Sequence, residues 1–370
     1  MLVFGAVNLV MFAFSGVRVG GDTPLYFEGA TRLLDGEPLI NREPSYSGYV
    51  ALVALLQATG APLHILVVAQ VALAAVAAGA VYAMGASLAG RSAGWIAALL
   101  FAADFDTNRW HVFVLADSAY FSLFTIAVFL THLAATRDGL WRVVSAAAVL
   151  LAASLVRPEG WFLIPAAAFY ILVMRLQSRA QRVAALGALG VLSVLGVALL
   201  APAISGNLKA VGPAEMLRDG RTIWEFDGWR VAMPGDPVFD DGVATSSDAI
   251  SYALRHPIPT ATLIAARIGV HFGHVRPFFS TAHNAMIVLW LVPIYLAMAF
   301  GARMAGAQPL ALWIFGALAT QVLVVALTHA DWDGRYLAHM LPVMYPIAAV
   351  AIARVVSAIA PSLMLREAHA

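Results

Sequence analysis

Apolar residues in this chain fall in long runs, and the charged residues gather in the breaks between runs rather than inside them. A hydrocarbon core about 30 Å thick needs roughly 20 apolar residues per crossing helix. Ten stretches approach that length: residues 1–17, 62–84, 93–104, 113–135, 142–156, 160–175, 183–204, 284–302, 308–329 and 337–358. The pattern predicts an all-α polytopic membrane protein with about ten transmembrane helices, forming one unit over residues 1–370. The third, fifth and sixth runs are short for a crossing. Nothing in the periodicity predicts strands.

Two segments are too polar to span, residues 18–61 and 205–283. In the first, Thr23-Pro24 followed by Leu25, Phe27, Ala30, Leu33 and Leu34 supplies a cap, a first-turn proline and helical spacing, ending at Asp35-Gly36. It reads as a helix lying at the membrane surface. Residues 46–59 are apolar but too short to cross, which suits a second interfacial or re-entrant helix. In the second segment, Ser246, Ser247 or Asp248 caps a short helix ending at Arg255-His256-Pro257, and residues 260–276 form a further interfacial helix.

Charge orients the chain. One set of alternate short loops holds Arg91, Arg137, Arg142, Arg175, Arg179, Arg182, Arg303, Arg354 and Arg366, the other only Arg109, Arg157 and Arg335. The positive-inside rule makes the first set cytoplasmic. Apart from Asp138 and Glu367 the acidic residues then fall on the other side, so both polar segments and the candidate chemistry are expected outside, on a multi-pass protein of the plasma membrane. Residues 1–17 carry no basic n-region or small-residue cleavage site and read as a retained first span.

Composition excludes several function classes. With 61% hydrophobic and 12% charged residues, the bulk of the chain belongs in lipid. A net charge of +1 and the lack of basic runs exclude nucleic acid as a partner. There is no cysteine, hence no thiolate chemistry or disulfide. Lys209 is the single lysine, so a phosphate clamp would be built from arginine.

Five constellations carry candidate chemistry. Asp22, in GGDTPLY, sits at a helix N-terminus where it either caps the helix or serves as a general base. Asp104, Asp106, Arg109, His111 and Asp117 run from a loop into the mouth of a span, and Asp117 stands a turn inside it. An ionisable group there marks function by default, against a purely structural pairing with Arg109 or Arg157. Arg157 and Glu159 lie in LVRPEGW. His329, Asp331, Asp333, Arg335 and Tyr336 precede the last span, at a depth that suits either a lipid-linked phosphate or simple snorkelling. Arg267, His271 and His274 share one helical face, with Arg276 beside them, as a basic stripe or, less specifically, a metal pair. Trp110, Trp161, Trp332 and Tyr336 suit an aromatic belt rather than a sugar platform, whereas Trp224 and Trp229, in WEFDGW of the long loop, would stack on a sugar or cover the site.

The order and sidedness of these motifs resemble the C-type glycosyltransferases, polyprenyl-phosphate-sugar-dependent membrane enzymes, in their protein-mannosyltransferase-like and aminoarabinose-transferase-like branch. The likeness rests on GGDTPLYFEGATRLLDGEP, YSGYVALVALL, VLADSAYFSLFTIAVFL, LVRPEGWFLIP, AISYALRHPIPTATLIAARIG and DGRYLAHMLPVMYPI. The resemblance implies catalytic roles for Asp22 and Asp117 and contacts from Arg335, Arg267 or Arg276 to the carrier phosphate. Tyr336, Arg157, Glu159, His111, His271 and His274 complete the candidate substrate-binding set. It further implies a lipid, glycan or protein acceptor and no required cofactor; a divalent metal serves some relatives but generally not this branch. Thr23 stands where the protein-mannosyltransferases place a second acidic residue. No glycine-rich nucleotide motif is present. The competing readings are a transporter or lipid flippase, which would show internal repeats and midplane charges, and a non-catalytic partner of such a transferase.

Overall fold

The computed structural model describes residues 2–176, 213–236 and 246–359, with isolated positions between 178 and 187. It is mostly helical. In chain order the helices are α1 (Leu2–Ser15), α2 (Thr23–Leu34), α3 (Ser47–Ala58), α4 (His64–Ala89), α5 (Arg91–Ala103), α6 (Phe105–Asn108), α7 (Ala116–Thr136), α8 (Leu140–Val156) and α9 (Leu163–Arg175). After α10 (Pro213–Arg218) come strands β1 (Arg221–Ile223) and β2 (Phe226–Arg230). The chain continues with α11 (Ser246–Arg255), α12 (Pro257–Gly273), α13 (Thr281–Ala305), α14 (Pro309–Leu327), α15 (Arg335–Ala338) and α16 (Leu341–Ile359).

Among the described residues five helices, α4, α7, α13, α14 and α16, are long and apolar enough to cross a membrane. The expected count of about ten is not confirmed among these residues, for local reasons. Asp104 ends α5 after 13 residues, which at 1.5 Å per residue is about 20 Å and short of the bilayer core. Pro158 and Gly160 turn the start of the sixth run into a 3₁₀ segment, Pro158–Phe162, and leave α9 13 residues long. Helices α1 and α8 are also short, at 14 and 17 residues. The run at 183–204 lies almost wholly outside the described residues.

The polar segments follow their local signals more closely. Helix α2 starts at Thr23 with its proline in the first turn and stops before Asp35-Gly36, where Gly36 takes a φ of +74°. Helices α11 and α12 occupy the stretches read as capped and interfacial helices. The expectation of no strands fails at residues 221–230, which form an antiparallel hairpin. Its strands of three and five residues are too short to show a period, and a neighbour outside the hairpin completes the pairing. The Trp224 amide donates to the Ala330 carbonyl at 2.9 Å, and the Ala330 amide to the Thr222 carbonyl at 2.9 Å.

Small residues let the helices approach. Helices α4 and α5 fold back on each other at Gly90, whose φ is +84°. They cross where a Cβ on Gly85 would stand 2.8 Å from the Ala93 carbonyl oxygen and one on Gly94 2.7 Å from that of Tyr82. In lipid, where apolar burial offers little drive, such close backbone contact is what holds helices together. Helices α13 and α16 meet more tightly still, since a Cβ on Gly301 would lie 1.9 Å from the Ile347 carbonyl oxygen.

This packing sorts the helix ends. The joints carrying Arg91 and Arg137–Arg142 gather at one end, where the Arg175 guanidinium donates to the carbonyls of Ala134 and Arg137. The end of α5, the start of α7, the end of α8 and the start of α16 gather at the other. The expected outcome for Gly301→Ala is a loss of about 1–3 kcal/mol through overpacking against backbone. A lower melting temperature in detergent would show it, and an unchanged one would contradict the crossing.

Candidate functional site

Helix α7 begins directly after extended Leu115, which leaves Asp117 in its first turn with no solvent exposure. Three side chains meet its carboxylate, one from the end of α8 and two from α15 and its C-cap. The Arg157 Nη1 and, at 2.9 Å, the His339 Nε2 contact Oδ1, while Arg335 Nη1 lies 3.5 Å from Oδ2. Arg157 leaves α8 in extended conformation, is itself buried, and turns its other edge to Glu159 at 2.8 and 3.2 Å. The rings of Tyr46, Tyr120 and Tyr336 surround the guanidinium, with centroids 5.9, 6.0 and 5.5 Å from Cζ. Arg157 is thus committed to two carboxylates and an aromatic cage. It supports the site from behind, and burial keeps it from the surface.

Asp22 does not cap α2. No side-chain hydrogen bond joins it to the helix amides, and the neighbouring turn is held instead by Thr23, whose Oγ1 accepts from the Gly20 amide at 2.8 Å and donates to the Val114 carbonyl at 2.9 Å. A Cβ on Gly20 would stand 2.8 Å from a Leu115 methyl, so this loop lies close against the head of α7. The Asp22 carboxylate points to arginine: Arg335 Nη1 donates to Oδ2 at 2.9 Å, and Arg42 Nη1 lies 3.7 Å from Oδ1. One nitrogen of Arg335 therefore faces both Asp22 and Asp117. Its Nε meets Asp333 at 3.2 Å. Burial disfavours the Arg335 charge, but the carboxylates of Asp117, Asp333 and Asp22 outweigh it and hold its pKa above the usual arginine value.

The segment that carries Arg335 is braced by residues of the remaining clusters. Gly334, at φ +84°, lets the backbone pass the His274 ring, which a Cβ would strike at 2.1 Å. His274 Nε2 contacts Asp106 at 2.5 Å, Asp106 pairs with Arg109 Nε at 2.9 Å, and Arg109 Nη2 donates to the Asp333 carbonyl at 2.7 Å. Arg276 donates to the Asp331 carbonyl at 3.0 and 3.3 Å. The Tyr336 amide donates to the Asp331 carboxylate at 3.2 Å.

The structure thus divides the sequence candidates. Asp22, Asp117, Arg157, Glu159, Arg335 and Tyr336 come together. Arg267 does not join them; fully buried, it donates to the carbonyls of Met216, Arg221 and Ala326 at 2.7, 3.0 and 3.3 Å and clasps the hairpin. The stripe of Arg267, His271 and His274 faces protein: His271 contacts the Met340 sulfur at 3.2 Å. His111 pairs with Ser118 Oγ at 2.7 Å, and burial pushes its imidazole down to about 3, so it stays uncharged near neutral pH. Asp104 is a buried cap, accepting from the Asp106 amide at 3.0 Å and from the Tyr345 hydroxyl at 2.7 Å. Among the described residues no three His or carboxylate side chains are grouped to hold a metal ion.

Two contributors escaped sequence reasoning. His339 follows Arg335 by four positions, a helical spacing that could have flagged it. Arg42, in NREPSYSG, has no local pattern to mark it. Tertiary folding alone brings it to Asp22.

Two openings adjoin the cluster. A narrow cleft is lined by Glu159, Gln321, Tyr336 and His339. Between α12, α13, α14 and α16 lies an apolar cavity of about 450 Å³, walled by Phe272, Met298, Leu318, Val322 and Met340 among others. Met340 adjoins His339, the Asp117 partner, so the greasy cavity and the charged cluster share a wall.

Removing Arg157 would leave Asp117 and Glu159 buried with one fewer cation, at a cost of about 3–5 kcal/mol. Arg157→Ala is expected to melt far below the wild type in detergent; a melting temperature within a degree or so would contradict its role. His111 makes a pH prediction. Its folded pKa lies below the ordinary 6.5, so its contribution to stability is complete above that value and is lost as pH falls toward about 3. His111→Gln keeps a partner for Ser118 and cannot titrate. Melting curves across this range should lose stability less steeply on acidification than the wild type, and parallel curves would count against a buried neutral imidazole. No family model matches the chain, and no curated protein matches it.

Proposed function

We propose that this chain is an integral-membrane glycosyltransferase that moves a sugar from a polyprenyl-phosphate donor to an acceptor, with the cluster facing the extracytoplasmic side of the plasma membrane. The observation that carries this reading is the Arg335 guanidinium shared between Asp22 and Asp117 at the head of an apolar bundle, beside a cavity of about 450 Å³ lined by hydrocarbon side chains. A donor with a long apolar tail and an anionic head needs both surfaces within one molecule's length. The likeness to the C-type glycosyltransferases, and the arginine-rich loops at the opposite end of the bundle, support the same assignment and orientation.

The chemistry is a single displacement. The acceptor hydroxyl or amine attacks the anomeric carbon, the bond from that carbon to the phosphate oxygen breaks, and the departing phosphate keeps the electron pair. Asp22, with 20% of its side chain exposed, takes the acceptor proton. Arg335 balances the charge that grows on the phosphate. In-line attack inverts the anomeric configuration. Asp117 has no solvent-facing edge; it and His339 act as positioning residues that aim Arg335. The charged groups sit at one end of the bundle rather than midway along the helices, which favours an interfacial enzyme over a transporter.

Asp22→Asn preserves size and hydrogen bonding while removing the base. With a polyprenyl-phosphate sugar and a competent acceptor, kcat is expected to fall about 10²- to 10⁴-fold with the melting temperature held. Full transfer by the variant would rule out the mechanism.

A further inference from the structure

An aromatic surface adjoins the cluster and takes no part in the proposed displacement. Trp332 stands between Asp331 and Asp333 and stacks on Phe278, with ring centroids 3.7 Å apart and planes at 8°. Phe226, at the start of β2, meets both edge-on at 5.5 and 6.3 Å. Trp229, further along β2, packs against Phe226 at 6.0 Å. The two indoles remain 39% and 41% exposed, which is a large amount of aromatic surface to leave open beside a buried charge cluster.

The surroundings of this surface favour a sugar over lipid. Trp229 lies on a hairpin whose neighbouring positions are charged: Arg221 pairs with Asp227 at 3.2 Å, Arg230 also binds Asp227, and the Asp227 side chain is 70% exposed. Interfacial aromatic residues usually sit at the ends of apolar helices, whereas Trp229 lies on β2 of the hairpin. A pyranose ring instead presents a C–H face that packs on an aromatic plane, and a rim of hydroxyls that bond to carboxylates and guanidiniums. The surface is also fixed to the reacting groups. Ala330 is zipped to the hairpin by two backbone hydrogen bonds, and three residues of chain from Trp332 to Arg335 span at most about 11 Å. A short oligosaccharide laid over Trp332 reaches that far.

We infer that Trp229 and Trp332, backed by Phe226 and Phe278, form a carbohydrate subsite that seats a neutral glycan acceptor and leads its end toward Asp22. The acceptor role rests on the transferase reading; the binding itself does not.

Soluble neutral mannan, glucan and galactan oligosaccharides, titrated into the purified full chain in nanodiscs, provide the test. At least one is expected to bind, and Trp229→Ala and Trp332→Ala should each weaken it about tenfold, the loss of one stacking contact. Trp332→Phe, which keeps an aromatic plane on Phe278, should recover most of the affinity. If Trp332→Ala fails to fold, Trp229→Ala decides alone, because its ring lies on the hairpin surface. In transfer assays the alanine variants should raise the acceptor KM and leave the donor KM and kcat in place. The proposal is overturned if none of the three glycans binds the wild type, if both alanine variants bind like the wild type, or if bromine-labelled lipid chains quench these two indoles. Glycan binding without transfer from any polyprenyl-phosphate sugar would support the subsite and sink the transferase reading.

Discussion

A carboxylate buried in the first turn of an apolar helix has to be neutralised where it stands, and the end of this bundle is organised around that requirement. Asp117 gathers Arg157 from the end of α8, Arg335 from the first residue of α15 and His339 from that helix's C-cap. Each partner brings a further charge with it: Arg157 brings Glu159, and Arg335 brings Asp22 and Asp333. Elements far apart in sequence are thereby held in a common register by electrostatics, in surroundings where apolar burial contributes little to specificity. Deleting Asp117 would loosen the whole arrangement, not only one ion pair.

The depth of each group then sets its role. Asp117 and Arg157 lie where water does not reach, so they position other groups. Asp22 and Arg335 are partly open, and in the proposed reaction they are the pair that meets the substrate. Around them, arginines that looked like phosphate ligands spend their donors on backbone carbonyls. Arg267 and Arg276 tie the hairpin and the Asp331–Arg335 segment to the core. Five donors in a planar fork suit that task as well as they suit phosphate.

Much of this was legible in the sequence wherever the signal was local. Thr23-Pro24 announces α2, Arg255-His256-Pro257 ends α11, and an aspartate inside an apolar run draws attention to residue 117. The misses are tertiary. The hairpin is invisible because part of its pairing comes from Ala330, more than a hundred residues further along the chain. Arg42 is unremarkable until folding places it near Asp22. Arg267 and His271 share a helical face as the spacing predicts, but α12 stops at Gly273 and His274 takes a left-handed conformation at its C-cap; periodicity, moreover, gives a face without saying what covers it, and here the protein does. Span bounds suffer in the same way: a run of apolar residues does not reveal that Asp104 or Pro158 will end or delay its helix, leaving α5 and α9 at 13 residues each.

The bond between the hairpin and Ala330 has a mechanical consequence. The strand pairing makes the hairpin that bears Trp229 and the segment that leads to Arg335 one hydrogen-bonded piece, with the Arg267 guanidinium holding the Arg221 carbonyl of that hairpin. The aromatic side and the cation therefore share one stretch of hydrogen-bonded backbone, and neither can be repositioned without the other.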